Sequence, residues 1–448
     1  MRVIIHIGVG KTGTTTIQSF LAKNREKLME QGVFVPPTVY PSLVGNHIEL
    51  AAATYSSARC GGNMVWFAPM FKKGFTIEDQ NKLWQKIRRE IETICNKSDL
   101  VIFSCEAFDA FTEPEVERVR ELMSTLFDEI SVIMYVRRQP EYLISIYNTY
   151  VCTVCETQNF MNFSRPLRMY HEIAKDWSTI FGRDKINIRI FDKREFYGND
   201  LLSDFARTVG FDMSGLEYVE NQNETMGSAE IEYLRLLNFH VVSGFTSDMS
   251  LPNSVLSYSQ QNREKSKKSH YLTRDEARQI LDRYREGNDW IAREFFSRKK
   301  LFSDDLSMYP EEVESPHGLT LEKCAEITAH LWKERCGVIQ QLQAENQRLE
   351  TEKNATAAEK QNRDTEIQRL WGEIHHRDAE IQRQQAELQR SHDNLALLQQ
   401  KHSIYWHYYR CKMLAKITFG KKRKHYKEKR NAFHEKVRLI RAIYKQKK

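Results

Sequence analysis

The sequence opens with MRVIIHIGVGKTGTTTIQSFLAKN (residues 1–24), and this stretch decides the fold. Residues 2–7 form a β-branched run that predicts a buried strand. Three glycines and four threonines follow, three of the threonines in a run, and from Ile17 onward apolar residues recur at helical spacing. Strand, glycine-rich turn and helix in this order bring backbone N–H groups and the positive end of a helix dipole to one place. The stretch therefore predicts an anion-binding site.

The side chains of this turn suit a phosphate. Lys11 supplies a mobile positive charge, and residues 14–16 supply three threonine hydroxyls. A Walker A loop would need a glycine at position 5, where the chain has Ile5. The turn therefore predicts a phosphate-binding loop that departs from the ATP and GTP pattern. A glycine- and threonine-rich turn without a ligand is the alternative.

Strand-like and helix-like segments alternate along the first 300 residues. Strands are predicted at 32–36, 100–104, 130–136 and 186–191, and helices at 79–97, 113–127, 165–181, 200–210, 228–240 and 274–297. This alternation predicts an α/β fold with a parallel sheet and with ligands at the carboxyl ends of the strands. Glu106 follows one predicted strand, and His47 lies in the irregular segment 40–75, which is typical of a substrate loop.

A second informative stretch, VRRQPEYLIS, runs from Val136 to Ser145. Two arginines end a predicted strand, a proline opens the next helix, and a serine lies two turns further on. A guanidinium fork and a hydroxyl suit a terminal phosphate. An exposed arginine pair beside a surface serine is the alternative.

The two stretches together resemble sulfotransferases that use 3′-phosphoadenosine 5′-phosphosulfate (PAPS). The run from Lys11 to Thr15 resembles their 5′-phosphosulfate loop, and the second stretch resembles their 3′-phosphate motif, an Arg-Asn-Pro with a serine eight residues after the arginine. Arg137 lies eight residues before Ser145, but Arg138 is the arginine that precedes x-Pro. Both arginines therefore remain candidates. The resemblance covers about residues 1–305, and it implies the sulfotransferase fold, a P-loop-type parallel sheet flanked by helices.

The resemblance also implies an activity: transfer of a sulfuryl group from PAPS to a hydroxyl or amine, without a metal. Lys11 would stabilise charge on the departing phosphate, and either His47 or Glu106 would act as the base. The implied PAPS-binding residues are Gly10, Lys11, Thr12, Gly13, Thr14, Thr15, Thr16, Arg137 or Arg138, and Ser145. A bacterial surface carbohydrate or lipid-linked glycan is the expected acceptor. A P-loop nucleotide kinase and an inactive coiled-coil scaffold are the alternatives.

The character of the chain changes after a connector at 306–337. Isoleucine or leucine occupies most a and d positions of one unbroken heptad over 338–400, and the polar Asn346 lies at an a position. Charged or polar residues interrupt the seam at Lys353, Lys360, Arg363, Arg377, Gln384 and Ser391. We expect a long helix that pairs as a coiled-coil homodimer, with a single solvated helix as the alternative.

The last segment, 401–448, is basic. It holds twelve lysines, five arginines and two glutamates, so its net charge is +15. The whole chain has a net charge of +7, so the residues before this segment are acidic overall. Aromatic residues beside the lysines favour peripheral contact with an anionic membrane over nucleic-acid binding, and a solvated basic helix without a partner is the alternative. From the sequence we expect neither a signal peptide nor a membrane span. We therefore expect a cytoplasmic protein that contacts the inner membrane face.

Overall fold

A computed structural model describes residues 1–37, 45–56, 75–94, 97–163, 168–219, 226–240, 249–262, 270–313 and 317–389. Most of the predicted substrate loop 40–75, the end of the predicted coiled coil and the basic segment 401–448 lie outside the described residues. The chain divides into two units, Met1–Ile339 and a second unit that begins at Gln340.

The first unit is built on a five-stranded parallel sheet. Its strands are β1 (Arg2–His6), β2 (Val33–Phe34), β3 (Leu100–Ser104), β4 (Glu129–Val136) and β5 (Ile186–Ile190), in the spatial order β2-β3-β1-β4-β5. Every neighbouring pair is parallel. The prediction of an α/β fold with a parallel sheet is therefore confirmed.

Helices connect and cover these strands. They are α1 (Thr14–Lys23), α2 (Arg25–Glu30), α3 (Ile48–Thr54), α4 (Ile77–Ile94), α5 (Glu113–Met123), α6 (Gln139–Thr153), α7 (Tyr170–Phe181), α8 (Leu201–Val209), α9 (Ser228–Asn238), α10 (Ser250–Gln261), α11 (Arg274–Arg283), α12 (Arg285–Phe296) and α13 (Leu321–Gln389). The predicted helix at 274–297 is two helices, because the chain turns at Tyr284.

Side-chain alternation along β1 feeds two apolar clusters, one on each face of the sheet. Val3 and Ile5 pack into a cluster that contains Trp177 of α7, while Ile4 packs with Phe20 of α1 and others. A strand buried on both faces needs a continuous apolar run, which residues 3–5 supply. A third cluster joins α6 to the later helices around Tyr147, Tyr271 and Tyr309.

The central position of β1 places the glycine-rich turn. β1 lies between β3 and β4. The chain adds β2 and β3 on one side of β1 and β4 and β5 on the other, and the carboxyl ends of β1, β3 and β4 meet at one edge of the sheet. This is the topological switch point at which open α/β sheets bind ligands. The turn continues the β4 ladder beyond β1, since Val9 N donates to Tyr135 O at 3.0 Å and Tyr135 N donates to Gly8 O at 2.6 Å.

A buried carboxylate fixes α8 against the sheet. Asp204 is 1% exposed and accepts hydrogen bonds from Tyr135 Oη at 2.7 Å, from Arg189 Nε at 3.0 Å and from Tyr197 N at 2.9 Å. Strands β4 and β5 are thereby tied to the helix that packs beside the turn.

The second unit contains the part of α13 from Gln340 onward, and the predicted heptad seam lies on this one helix as far as Gln389, beyond which it is outside the described residues. Whether the seam pairs with another helix stays a prediction. None of the helices in the described ranges combines the length and the apolar character that a membrane crossing requires.

Gly13 leads to a test of this packing. It has φ +78°, and a Cβ there would collide with Leu201 Cδ2 of α8 and lie 2.9 Å from Phe191 Cε2. Because left-handed backbone costs about 1–2 kcal/mol for a non-glycine residue and overpacking a further ~1–3, Gly13→Ala should destabilise the fold by about 2–5 kcal/mol in urea unfolding. Gly198 has φ +63°, and no atom of the described residues lies within 4 Å of such a Cβ, so Gly198→Ala should cost only about 1–2 kcal/mol. Equal losses would contradict the packing account.

Candidate active site

The glycine-rich turn is a tight loop held by its own atoms. Thr12 Oγ1 donates to Val9 O at 2.5 Å, and Gly10 N donates to Asp109 Oδ2 at 3.0 Å. Lys11 and Gly13 both take left-handed backbone angles, with φ of 65° and 78°. Gly13 caps α1, whose first turn contains no acidic residue. The positive end of the α1 dipole is therefore left without a compensating carboxylate on its own helix.

The threonines of the loop differ in access. Thr12, Thr14 and Thr16 are at most 5% exposed, whereas Thr15 is exposed. Of the three consecutive hydroxyls at 14–16, that of Thr15 is thus the one open to a ligand from solvent.

Lys11 lies in a mixed electrostatic environment. Burial lowers the pKa of Lys11, and the nearby charge of Arg137 lowers it further, while Cys152 and Glu106 act in the opposite direction. These influences come from residues at the ends of β3 and β4 and on α6. The fold therefore gathers them around the loop.

Arg137 follows the last residue of β4 and turns its side chain toward the loop. Its Nη1 donates to Lys11 O at 3.2 Å, and its guanidinium lies 5.5 Å from the centroid of the Phe191 ring. Tyr170 Oη donates to Arg137 O at 2.9 Å and so fixes the backbone. Within the described ranges no carboxylate forms an ion pair with Arg137.

Arg138 is engaged elsewhere. It forms an ion pair with Glu141, and its Nη1 donates to Ser303 O at 3.2 Å and to Asp305 O at 2.7 Å. Its guanidinium thus joins the start of α6 to the segment after α12. The geometry favours Arg137 over Arg138 as the arginine that serves the loop.

Helix α6 carries Cys152, on which the charge of Lys11 acts. Cys152 lies seven residues after Ser145, which places the two on the same side of the helix. Burial raises the pKa of Cys152 to about 12, and the charge of Lys11 partly opposes this rise. Ser145 is 8% exposed, and Asn148 Oδ1 on this helix is buried and has no hydrogen-bond partner among the residues that the structure describes. The predicted Ser145 hydroxyl and two further polar groups thus lie on the helix that borders the loop.

Glu106 begins the 3₁₀ turn Glu106–Ala110, directly after β3 and Cys105. Its Oε2 accepts hydrogen bonds from Gln18 Nε2 at 2.9 Å and from Asn46 Nδ2 at 3.0 Å. The loop runs against it, since a Cβ on Gly8 would lie 3.2 Å from both Glu106 Cα and Cβ. One carboxylate oxygen is therefore oriented by two amides, and among the described residues Oε1 has no hydrogen-bond partner.

His47 has a different environment. It is 3% exposed, its Nδ1 accepts from Ser104 N at 2.9 Å, and its Nε2 donates to Pro36 O at 2.9 Å. Burial lowers the pKa of His47 to about 4. Because both ring nitrogens are occupied, the geometry favours Glu106 over His47 as a base.

Three site residues were not singled out by the sequence. Gln18 and Asn46 orient Glu106, and Asp109 holds the loop amide of Gly10. Gln18 carried a usable signal, because it lies four residues after Thr14 on the face of α1 that begins at the loop. Asn46 and Asp109 reach the site through long-range contacts that their sequence neighbourhood does not indicate.

Comparisons with known proteins give distant matches. No family profile matches the chain. An uncharacterised protein of Archaeoglobus fulgidus is 24% identical over 220 residues, which are 48% of this chain and 60% of that protein. This chain therefore matches less than two thirds of that relative's length.

Two solved structures are similar at low scores. One is a sulfotransferase from Alicyclobacillus acidocaldarius, with a TM-score of 0.32 and 13% identity over 52% of this chain and 91% of that one. The other is the sulfotransferase domain of the olefin synthase from Synechococcus PCC 7002, with a TM-score of 0.28 and 13% identity over 63% and 94%. Scores this low do not assign the chain to a family.

The buried histidines lead to a pH prediction. Burial lowers the pKa of His6 to about 3 and that of His47 to about 4, against about 6.5 in an unfolded chain. The folded state then binds fewer protons, so this contribution to stability is complete above about pH 6.5 and is lost as the pH falls toward 4 and 3. The free energy of unfolding should fall by up to about 2 kcal/mol per histidine between pH 7 and pH 5.

Urea unfolding at several pH values measures this loss. His47→Gln should reduce the pH dependence, because the titrating group is removed. His376 on α13 is exposed, so His376→Gln should leave the pH profile unchanged. An equal pH dependence in all three chains would contradict the assignment.

Proposed function

We propose that this chain is a PAPS-dependent sulfotransferase that moves a sulfuryl group to an acceptor hydroxyl. The observation that supports this most strongly is the meeting of Lys11, Arg137 and Glu106 at the carboxyl edge of three adjacent strands. Two separate cations suit a ligand with two separate phosphates, and a carboxylate beside them suits proton removal.

The loop would bind the 5′-phosphosulfate. Backbone amides of residues 12–16 and the start of the α1 dipole attract an anion, and the Thr15 hydroxyl is accessible. Lys11 would neutralise charge on the phosphate oxygen as the sulfur–oxygen bond breaks. Its lowered pKa is consistent with a partly desolvated ammonium, whose electrostatic effect is larger than in water.

Arg137 and Ser145 would bind the 3′-phosphate, the group that distinguishes PAPS from other adenine nucleotides. Arg137 has no carboxylate partner in the part of the chain that the structure describes, so its charge is available. Its stacking near Phe191 and its hydrogen bond to Lys11 O hold the guanidinium next to the loop. A guanidinium fork matches phosphate geometry better than a single ammonium.

Glu106 would accept the proton of the acceptor hydroxyl. The acceptor oxygen forms a bond to sulfur, the bond from sulfur to the bridging phosphate oxygen breaks, and the proton moves to Glu106 Oε1. Gln18 and Asn46 hold the other carboxylate oxygen, so the base is oriented before the acceptor arrives. As in phosphoryl transfer, positioning and charge stabilisation supply most of the rate. A carbohydrate acceptor stays a prediction from the sequence.

Calorimetric titration with 3′-phosphoadenosine 5′-phosphate (PAP) and with adenosine 5′-phosphate tests the two-phosphate site. A charge-assisted hydrogen bond contributes about 1.5–3 kcal/mol, so Arg137→Gln should weaken PAP binding about 10- to 100-fold. The same change should leave binding of adenosine 5′-phosphate nearly unchanged, because that ligand lacks the 3′-phosphate. Lys11→Ala should weaken both ligands.

Arg138→Gln is the matched control. It should lower the midpoint of thermal unfolding through the loss of the Glu141 ion pair, and the folded fraction should still prefer PAP. Tighter binding of ATP with magnesium than of PAP would support a kinase and contradict the proposal. Failure to bind either ligand would support an inactive scaffold.

Transfer of radiolabelled sulfate from PAPS to a mixture of oligosaccharides tests the base. Glu106→Gln keeps the size and the hydrogen-bond acceptor but cannot take a proton at neutral pH, so transfer should fall by about 10²- to 10⁴-fold. PAP affinity should be retained. His47→Gln should mainly reduce stability and keep most of the transfer per folded molecule; the reverse pattern would make His47 the base.

A further inference from the structure

Helix α13 carries a continuous acidic row beside its apolar seam. With Ile339 at position a of the heptad, every g position from 345 to 387 is a glutamate: Glu345, Glu352, Glu359, Glu366, Glu373, Glu380 and Glu387. The e positions add Glu350, Asp364 and Asp378. Positions e and g flank the seam and select its partner by charge. The partner of this seam should therefore be basic.

Exposure varies along the seam. Ile339, Leu342 and Leu349 are 52–55% exposed, as expected of apolar side chains on a solvated helix. Leu370, however, is only 6% exposed, and it belongs to none of the three apolar clusters of the first unit. Ile374 and Ile381 are half-buried. The seam is thus less exposed from Leu370 to Ile381 than it is further toward the N-terminus.

A second copy of the same seam is a poor partner. In a parallel pair each g residue meets the e residue five positions further along the other chain. Glu345 would then face Glu350, Glu359 would face Asp364, and Glu373 would face Asp378 of the second copy. In an antiparallel pair glutamates at g would face one another. Both arrangements place like charges together, which is unfavourable.

The chain supplies a basic seam of its own. Phe419, Tyr426, Phe433 and Ile440 recur at intervals of seven residues. Of the four alternate a positions, 437 and 444 are Val and Tyr, and 423 and 430 are Arg. The flanking positions are basic, with Lys422, Lys429 and Lys436 on one side and Lys427, His434 and Arg441 on the other. This heptad is the charge complement of the one on α13.

We propose that segment 419–444 binds antiparallel along α13 of the same chain, over the seam from Ile367 to Ile381. In an antiparallel pair g meets g and e meets e, so the glutamates at g face Lys422, Lys429 and Lys436. The acids at e, Asp364 and Asp378, face the row of Lys427, His434 and Arg441. The inference is independent of the reaction, since none of these residues belongs to the PAPS site.

The lengths are compatible with this arrangement. As a helix, the 26 residues of 419–444 would span about 39 Å, which exceeds the roughly 21 Å from 367 to 381. Residues 390–418 connect the two seams, and 29 residues can extend up to about 96 Å. The connection is therefore long enough for the chain to return along its own helix.

A charge exchange in the full-length chain tests the proposal. We expect Glu366→Lys, Glu373→Lys and Glu380→Lys together to speed hydrogen exchange in peptides from 367–381 and 419–444 at least tenfold. Adding Lys422→Glu, Lys429→Glu and Lys436→Glu should restore slow exchange in both regions. Arg369→Gln is the control, because it removes the intrahelical pairs of Glu366 and Glu373 without changing the acidic row. It should leave exchange in 419–444 slow.

Light scattering and vesicle binding test two alternatives to this arrangement: a second copy of the chain on the seam, and a membrane bound by 419–444. At every protein concentration at which 419–444 is protected from hydrogen exchange, the full-length chain should have the mass of one chain. Protection that disappears on dilution together with a mass of two chains would overturn the proposal in favour of a homodimer. Protection that appears only with vesicles of phosphatidylserine would overturn it in favour of a membrane. A failed rescue by the charge exchange would also overturn the proposal.

Discussion

The backbone ladder that continues past the end of β1 is the constraint on which the site depends. Val9 and Gly8 pair with Tyr135 of β4 beyond the last residue of β1, so the loop is an extension of the sheet. The end of β4, one residue later, therefore emerges beside the loop, and Arg137 can donate to the carbonyl oxygen of Lys11. The Glu106 turn approaches from β3 on the other side, close enough that a Cβ at position 8 would lie only 3.2 Å from Glu106 Cα. The position of β1 between β3 and β4 thus brings two cations and a carboxylate together.

Much of this arrangement could be predicted from the sequence, because it follows from order along the chain. A β-branched run, a glycine-rich turn and alternating helices determine a parallel sheet with its ligand edge, and Lys11, Glu106 and the arginine pair all follow strands. The choice between Arg137 and Arg138 could not be predicted. It depends on Glu141 and on the carbonyl groups of Ser303 and Asp305, which occupy Arg138. These contacts are long-range and have no signature near position 138.

The sequence could not distinguish the two candidate bases either. His47 and Glu106 both lie near strand ends, and their local sequences do not reveal which one is accessible. Ser104 N and Pro36 O occupy the two nitrogens of His47, whereas Gln18 and Asn46 leave one oxygen of Glu106 without a partner in the described part of the chain. The hydrogen-bond partners of the two side chains, rather than their residue types, distinguish the two. The charge rows on α13 and on 419–444, in contrast, can be identified from the sequence, because a heptad repeat is a local property that the sequence shows in full.

The central claim is that one ligand with two phosphates bridges the loop and the end of β4. A crystal structure of the chain with PAP tests it most directly. The account predicts the 5′-phosphate on the amides of residues 12–16 beside Lys11, and the 3′-phosphate within hydrogen-bond distance of Arg137 and Ser145. A 3′-phosphate held by other cations, or PAP bound away from the carboxyl edge of β1, would contradict it.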